Sequence, residues 1–370
     1  MSKKSPYKLF LAILIVSMSY STHVSAKTTD ESSTNNNIQA EKNKSSKSPK
    51  ESKSSGANRS IRADKTKKNA KSPKNSREVR PTVLPRSSVK KMEPVSPRVS
   101  AGTALGLGKN VDELNLKSKV AMIVDLQNQD IIFDKNSQIV LPVASITKLL
   151  TAMVVLDANL PMEETLEINE QDAAIYKNSR LVKGTTLTRQ EALLLALMSS
   201  ENRAAYTLGR NYPGGINAFM AAINRKTKEI GMKNAFFEDP TGLTSKNVAS
   251  AEDLAILVNA AYQYPVIRQF TITPIHFKQI NQREQQFLNS NRLVRSGDME
   301  VLIQKTGYIS EAGRCLVMMA MVNNKPYTMV FLDSVGVQSR FADAIRVKDW
   351  IQSSQHAMLR KLPNTKIAAN

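Results

Sequence analysis

Short apolar runs with strand-like spacing stand at the two ends of the region beyond residue 113. Val120–Asp125 and Ile131–Phe133 enclose a polar stretch, a pattern typical of a β-hairpin. Near the other end, three more runs of this type cover Glu300–Thr306, Cys315–Val322 and Tyr327–Leu332. These five segments are predicted to be strands.

Between these strands the spacing of apolar residues becomes helical. Two capping boxes mark helix starts, one at Thr188 and Glu191 and one at Ser250 and Asp253. The predicted helices are Val143–Leu156, Thr188–Met198, Asn202–Gly209, Ile216–Ile230 (closed by Gly231), Ser250–Val258 and a final one over Ser339–Ile351. Strands at both ends around a helical middle predict an α+β fold in which the two ends meet in one sheet.

The amino terminus has the pattern of a secretory signal. Three lysines precede an apolar run at Leu9–Met18, and the small residues Val24-Ser25-Ala26 form a cleavage site. The apolar run is too short to span a bilayer, which needs ~20 residues. We therefore expect residues 1–26 to be removed on export to the periplasm, although an uncleaved anchor or loose membrane association remains an alternative.

Positive charge is concentrated in the first 99 residues. They hold 22 of the 52 Lys and Arg residues but only 7 of the 32 Asp and Glu residues, which leaves 30 basic and 25 acidic residues for the rest. Residues 27–113, rich in Lys, Ser, Asn and Pro, are predicted to be a disordered linker before a domain at 114–352 and a polar tail at 353–370. Residues 27–111 are either a tether to anionic envelope polymers or a solvated spacer. A nucleic-acid partner is not expected of an exported chain.

The sequence offers few residues for metal or histidine chemistry. The three histidines include one in the signal, and neither His276 nor His356 has a metal-ligand partner at helical spacing. Cys315 is the only cysteine, so the chain has no internal disulfide, and its apolar neighbours favour a buried residue. We expect no metal and no cofactor.

A serine and a lysine stand at the start of the apolar helix pattern. Ser145 and Lys148 are three residues apart and therefore share a helix face, with the amine in reach of the hydroxyl. A helix amino terminus also favours negative charge developing on oxygen. The alternative is a helix-capping serine beside a surface lysine, but a lysine ahead of Leu149 and Leu150 in a buried helix argues against it.

Two further polar motifs follow. Ser200 and Asn202 lie at a break between two helices, where they either face a cleft or cap a helix. Lys305-Thr306-Gly307-Tyr308 ends a strand pattern, where Lys305 and Gly307 share one face and glycine permits close approach of a ligand. Its alternative is a strand end turning into a surface loop. Ser245-Lys246-Asn247 is a rival to Ser200 and Asn202, but it leaves only 60 residues before Lys305.

The three motifs, in this order, resemble the S-x-x-K, S-x-N and K-T-G set of penicillin-binding proteins and class A β-lactamases. Ser200 lies 55 residues after Ser145, and Lys305 lies 105 residues after Ser200, spacings similar to those of that superfamily. Phe237-Glu-Asp-Pro-Thr-Gly-Leu243 and Gly307–Cys315 resemble the low-molecular-mass D-alanyl-D-alanine peptidases in particular. The likeness spans about Leu114 to Trp350. It implies a penicillin-binding/β-lactamase-like transpeptidase fold, with an antiparallel sheet flanked by helices and an all-helical lobe.

The resemblance also implies roles for these residues. Ser145 is the nucleophile that forms an acyl-enzyme on peptidoglycan peptide stems, Lys148 is its base, and Ser200 passes a proton to the leaving amine. Asn202, Lys305, Thr306 and Gly307 bind substrate, and the backbone N–H groups of Ser145 and Tyr308 form the oxyanion hole. β-Lactam antibiotics are the expected covalent inhibitors.

The choice within the family rests on what is absent. No Glu-x-x-x-Asn pattern of a deacylating class A β-lactamase stands between Asn202 and Lys305. Only 65 residues follow Lys305, fewer than the extra β-rich domain and anchor of the membrane-bound carboxypeptidases need. The compact form resembles the D,D-endopeptidases of the penicillin-binding protein 7 type. D-alanyl-D-alanine carboxypeptidase activity is the first alternative, and an inactive penicillin-fold protein that binds wall polymer is the second.

Overall fold

The computed structural model describes residues 99–109, 111–176 and 178–361, with side chains through residue 354. Its strands are β1 Ser118–Asp125, β2 Asp130–Lys135, β3 Leu141–Pro142, β4 Thr165–Glu167, β5 Thr186–Thr188, β6 Val248–Ala249, β7 Ile275–Ile280, β8 Arg283–Leu288, β9 Glu300–Ile309, β10 Gly313–Val322 and β11 Lys325–Ser334. Its α-helices are α1 Ala101–Ala104, α2 Lys148–Asp157, α3 Glu170–Ile175, α4 Arg189–Met198, α5 Asn202–Arg210, α6 Gly215–Glu229, α7 Ala251–Tyr262, α8 Pro265–Thr271, α9 Arg292–Ser296 and α10 Ser339–Lys361.

The central sheet joins the two ends of the domain. Its strand order is β2-β1-β11-β10-β9, and all neighbouring strands are antiparallel. β1 pairs with β11 so that Ile123 lies opposite Met329. The predicted α+β architecture, with one sheet built from both ends of the chain, is confirmed.

The sheet is covered on both faces. α10 packs on one face, over residues such as Leu316 and Phe331, while α7 lies on the other face, whose core also includes the buried helix α2. β1, β10 and β11 are buried on both sides. Their sequences are therefore nearly continuous apolar runs, without the alternation of apolar and polar residues seen in strands with one exposed face. β9 is the edge strand, so one side of its backbone is open to a ligand.

Local sequence signals set several helix starts. Both predicted capping boxes form: Thr188 begins α4 with Glu191, and Ser250 begins α7 with Asp253. α7 continues to Tyr262 rather than ending at Val258, and the helix predicted from Val143 is split into a 3₁₀ helix at Ala144–Thr147 followed by α2.

The structure corrects two boundaries and adds one hairpin that was not predicted. Residues 99–113, placed in the linker by composition, include α1, because the Ser100 and Thr103 hydroxyls accept hydrogen bonds from the buried Lys119 amine. α10 continues past Ile351 to Lys361, into the segment predicted to be a polar tail. The hairpin β7–β8 was not predicted from its mixed polar sequence.

The signal at residues 1–26, the linker up to residue 98 and the end of the tail at 362–370 lie outside the described residues. No helix in the described part of the chain combines the length and the apolarity needed to cross a membrane.

Candidate active site

Ser145 lies on the 3₁₀ helix that precedes α2. It is the only residue between Leu141 and Val155 that is not fully buried. The preceding residue, Ala144, has a φ of +50°, a left-handed conformation that is strained for alanine. This backbone turn leaves the Ser145 hydroxyl accessible at the end of an otherwise buried segment.

Lys148 is fully buried, and its amine has three partners. Nζ lies 2.9 Å from Ser145 Oγ, 2.7 Å from Asn202 Oδ1 and 2.6 Å from the backbone oxygen of Thr241. A neutral amine has two N–H donors and one lone pair. The two carbonyl oxygens accept the two N–H bonds, so the lone pair is left for the Ser145 hydroxyl.

The environment of Lys148 favours that neutral form. Burial lowers the pKa of Lys148 to about 7, against the smaller opposing effect of the Asp239 and Glu201 carboxylates. The amine is therefore poised near neutrality, as general-base catalysis requires.

The loop at residues 239–244 holds the Thr241 carbonyl in place. The Asp239 carboxylate accepts hydrogen bonds from the backbone N–H groups of Thr241, Gly242 and Thr244 and from the Thr241 hydroxyl. Gly242 has a φ of +83°, and a Cβ there would lie 2.0 Å from the Ala144 carbonyl oxygen. Only glycine lets this loop approach the backbone at Ala144 and Ser145 so closely.

On β9, Lys305 and Gly307 face the side of the sheet that carries Ser145. Lys305 is fully buried, and its amine donates to the backbone oxygen of Thr306 at 3.0 Å. Its pKa lies well below the ordinary value because of burial first and then the like charges of Lys148 and Arg340. A Cβ on Gly307 would meet the Val143 oxygen at 2.9 Å, so glycine here too allows close packing against the turn before Ser145.

Ser200 and Asn202 reach the same cleft from the junction of α4 and α5. Ser200 has a φ of +64°, and Asn202 binds Lys148. The rival Ser245-Lys246-Asn247 plays a different part, because the Asn247 amide is buried and donates to Thr147 Oγ1 and the Asp239 oxygen. Asn247 of this motif therefore stabilises the loop at residues 239–244 and does not line the cleft.

A cleft of about 260 Å³ opens beside Ser145. It is lined by residues from five parts of the chain: Ser145; Tyr176 and Asn178; Ser199, Ser200, Glu201 and Asn202; Thr306, Gly307 and Tyr308; and Arg340. The structure therefore brings all predicted site residues to one place, with Lys148 and Lys305 buried behind the cleft surface. No cluster of three metal-ligating side chains stands among the described residues.

Four contributions to this site were missed by sequence reasoning. The Thr241 carbonyl and the Glu201 carboxylate flank Lys148, and Ser290 bridges the cleft by accepting from Thr306 Oγ1 at 2.6 Å while its N–H donates to the Met198 oxygen at 2.7 Å. Arg340, in the first turn of α10, lines the cleft from the far end of the sequence. Glu201 and Thr241 stand inside motifs that were recognised, at Ser200–Asn202 and Phe237–Leu243, whereas Ser290 and Arg340 carry no local signal.

Arg340 is a buried cation with spare donors. It is 7% exposed, and its Nε and Nη1 atoms have no hydrogen-bond partner among the described residues. Its pKa is lowered to about 10 by burial and by the like charge of Arg314. An anionic ligand in the cleft would supply the acceptors that the protein does not.

Known proteins share this architecture. The chain overlays on the Streptomyces K15 DD-transpeptidase with a TM-score of 0.60 at 22% identity, covering 64% of this chain and 98% of that one. It overlays equally well on a D-alanyl-D-alanine carboxypeptidase from Mycobacterium tuberculosis, with a TM-score of 0.60 at 23% identity over 67% of this chain and 95% of that one. The predicted penicillin-binding type of fold is thereby confirmed.

Similarity in sequence is higher with two bacterial relatives. A D-alanyl-D-alanine endopeptidase of Pseudomonas aeruginosa is 41% identical over 273 residues, which is 72% of this chain and 86% of the relative. A D-alanyl-D-alanine endopeptidase of Escherichia coli is 41% identical over 266 residues, 71% of this chain and 85% of the relative. The profile of the D-alanyl-D-alanine carboxypeptidase family matches residues 108–336. The chain therefore belongs to the D-alanyl-D-alanine carboxypeptidase family of serine peptidases.

Proposed function

We propose that this protein is a serine D,D-endopeptidase that hydrolyses D-alanyl cross-links of peptidoglycan through an acyl-enzyme on Ser145. The observation that carries the proposal is the position of Lys148 Nζ, 2.9 Å from Ser145 Oγ and within hydrogen-bond distance of Asn202 Oδ1 and the Thr241 carbonyl oxygen. In the neutral amine these two oxygens accept both N–H bonds, which leaves the lone pair for the Ser145 hydroxyl. Such a pair activates a serine without histidine.

The proposed reaction has two halves. Ser145 Oγ attacks the carbonyl carbon of the penultimate D-alanine while its proton passes to Lys148 Nζ. The amide bond then breaks, Ser200 delivers a proton to the departing amine and takes the proton back from the Lys148 ammonium, and the acyl group stays on Ser145. Water attacks the ester in the second half, releases the peptide acid and restores the Ser145 hydroxyl. β-Lactams acylate the same oxygen.

Charge in the cleft suits this substrate. The backbone N–H groups of Ser145 and Tyr308 are proposed to stabilise the oxyanion, a contribution of about 3–4 kcal/mol per donor in serine peptidases. Lys305, Thr306 and the unpaired donors of Arg340 bind the carboxylate next to the scissile bond on the leaving group. Asn202 holds the substrate backbone, which runs along the part of the cleft lined by Gly307.

Endopeptidase activity is preferred over carboxypeptidase activity because both relatives at 41% identity are named endopeptidases. The decisive experiment incubates the purified protein with a cross-linked muropeptide dimer and with a monomer ending in D-Ala-D-Ala. Release of monomers from the dimer supports the proposal, whereas loss of terminal D-alanine alone supports the carboxypeptidase. Ser145→Ala should abolish both the cleavage and covalent labelling by a fluorescent penicillin. Retained labelling would refute the assignment of Ser145.

We also propose that the protein acts outside the cytoplasm, where peptidoglycan lies, which agrees with the signal predicted at residues 1–26. We further propose that the basic segment 27–111 binds anionic polymers of the envelope, since its charge suits such a partner. Salt-dependent retention of the mature protein on isolated cell walls, lost when residues 27–98 are deleted, is the expected result. Equal retention of the shortened protein would contradict this role.

A further inference from the structure

Arg314 is a second arginine beside the cleft, and the proposed reaction does not yet use it. On β10 it lies directly opposite Tyr308 of β9, and its Cζ atom is 4.4 Å from the centre of the Tyr308 ring. Tyr308 itself is 54% exposed and lines the cleft. The aromatic ring therefore fixes a partly exposed guanidinium at the cleft margin.

Arg314 shares this side of the sheet with Arg340. Along β9, Lys305 and Gly307 face Ser145, whereas Thr306 and Tyr308 face the side covered by α10. Because Arg314 is the cross-strand neighbour of Tyr308, it points to that same side, where the first turn of α10 carries Arg340. Two guanidinium groups thus flank one exposed tyrosine.

No protein carboxylate balances this pair in the described part of the chain. Neither Arg314 nor Arg340 lies within ion-pair distance of a described Asp or Glu, whereas Asp333, the nearby β11 carboxylate, is engaged by Lys119 at 3.0 Å. Two adjacent cations without counter-charges repel each other, so the arrangement costs stability unless a ligand supplies the anions.

We infer that Arg314 binds a second carboxylate of the leaving peptide stem, beside the one held by Arg340 and Thr306. The inference rests on the proposed function. If the carboxylate next to the scissile bond lies at Arg340, the leaving group lies on the α10 side of β9, and Arg314 is the next cation along it. A single terminal D-alanine has only one carboxylate, whereas the diamino-dicarboxylic residue and the rest of a cross-linked stem carry more. Arg314 would therefore favour cleavage of cross-links over removal of terminal D-alanine.

The test compares Arg314→Ala and Arg314→Lys with the unsubstituted protein on three ligands. They are a cross-linked dimer, the same dimer with the further carboxylates of the acceptor stem amidated, and a short peptide ending in D-Ala-D-Ala. Arg225→Ala is the matched control, since Arg225 is an exposed arginine on α6, which contributes nothing to the cleft lining. The rate of benzylpenicillin acylation reports the integrity of the Ser145 machinery.

Arg314→Ala should lower kcat/KM for the acidic dimer about tenfold, mainly through KM, as expected for loss of one partly exposed charge-assisted hydrogen bond. Amidation should lower kcat/KM by a similar factor in the unsubstituted protein and have no further effect in Arg314→Ala. Arg314→Lys should be intermediate, and Arg225→Ala should match the unsubstituted protein. Cleavage of the short peptide and acylation by benzylpenicillin should not change.

Two results would overturn the inference while leaving the proposed function intact. One is normal dimer cleavage by Arg314→Ala. The other is an equal loss on all three ligands and on penicillin acylation, which would indicate a structural effect on Tyr308. Failure of the unsubstituted protein to cleave any dimer would overturn both the proposed function and this inference.

Discussion

Lys148 donates a hydrogen bond to the backbone carbonyl of Thr241 at 2.6 Å, and this contact decides which side of the amine Ser145 meets. A backbone carbonyl can only accept, so it must take an N–H bond from the amine. With the second N–H on Asn202 Oδ1, the lone pair points to the serine hydroxyl. In the proposed mechanism, the loop at residues 239–244 thus acts by orienting the Lys148 amine.

The first prediction concerns the pH dependence of acylation. Because the pKa of Lys148 is lowered to about 7 and the neutral amine is the active form, the rate should rise with pH through about 7 and then level off. Below that point it should fall about tenfold per pH unit. Stopped-flow acylation by a chromogenic β-lactam measures the profile. Lys148→Met should lose about 10²–10⁴-fold at pH 8. A flat profile between pH 5 and 9 would argue against Lys148 as the base.

The second prediction concerns Glu201, whose carboxylate favours the charged form of Lys148. Glu201→Gln removes that charge but keeps a side-chain oxygen for the Ser179 hydroxyl, which now donates to it at 2.7 Å. The pKa of Lys148 should fall further, so the acylation profile should move to lower pH and the rate at pH 6 should rise. Glu163→Gln, on the exposed surface, is the control and should leave the profile in place. A shift of the Glu201→Gln profile to higher pH would contradict the expected effect of the Glu201 charge on the pKa of Lys148.

The third prediction separates backbone strain from contact at Gly242. Gly242→Ala forces an L-residue into φ +83° and drives its Cβ into the Ala144 carbonyl, whereas Gly184→Ala meets the same strain at φ +82° with no atom within 4 Å. The Gly184 variant should lose only about 1–2 kcal/mol of unfolding free energy. The Gly242 variant should lose more and should also acylate at least about tenfold more slowly, since the Ser145 backbone must move. Urea denaturation and penicillin acylation measure the two effects. Equal behaviour of the two variants would show that the close contact is unimportant.

The fourth prediction concerns the buried ion pair of Lys119 and Asp333, which also holds the segment at residues 99–108. The Lys119 amine is buried with Asp333 at 3.0 Å, and it also donates to Ser100 Oγ at 2.9 Å. Lys119→Met leaves the Asp333 charge uncompensated and should cost about 3–5 kcal/mol of unfolding free energy. Lys183→Met breaks an exposed pair with Glu170 and should give no measurable change in urea denaturation. A loss in Lys119→Met no larger than in Lys183→Met would mean that Asp333 finds another partner or is neutral.

Local sequence was enough for the five strands of the central sheet, for the six longest helices of the described residues and for the motifs, but not for α1 or the β7–β8 hairpin. The capping boxes at Thr188 and Ser250 hold in the structure because a helix start is decided within four residues. Helix ends were less predictable, since α7 continues to Tyr262, where Ala261 is buried, and α10 continues to Lys361. The first residue of the domain was predicted too late in the chain. Ser100 and Thr103 have the composition of a linker, and only the structure shows that their hydroxyls accept hydrogen bonds from Lys119.

By itself, the sequence determined an α+β domain behind a basic segment and the serine, lysine and amide residues of the candidate site, because hydrophobic periodicity and fixed motif spacing are local properties. Tertiary structure alone decided that the Thr241 carbonyl lies 2.6 Å from the Lys148 amine, that Gly242 must lack a side chain, and that Arg340 of α10 lines the same cleft as Tyr308 of β9. Each of these depends on segments tens of residues apart meeting within a few ångströms. No local pattern encodes such a meeting, because it follows from how β9, β10 and α10 pack around the nucleophile.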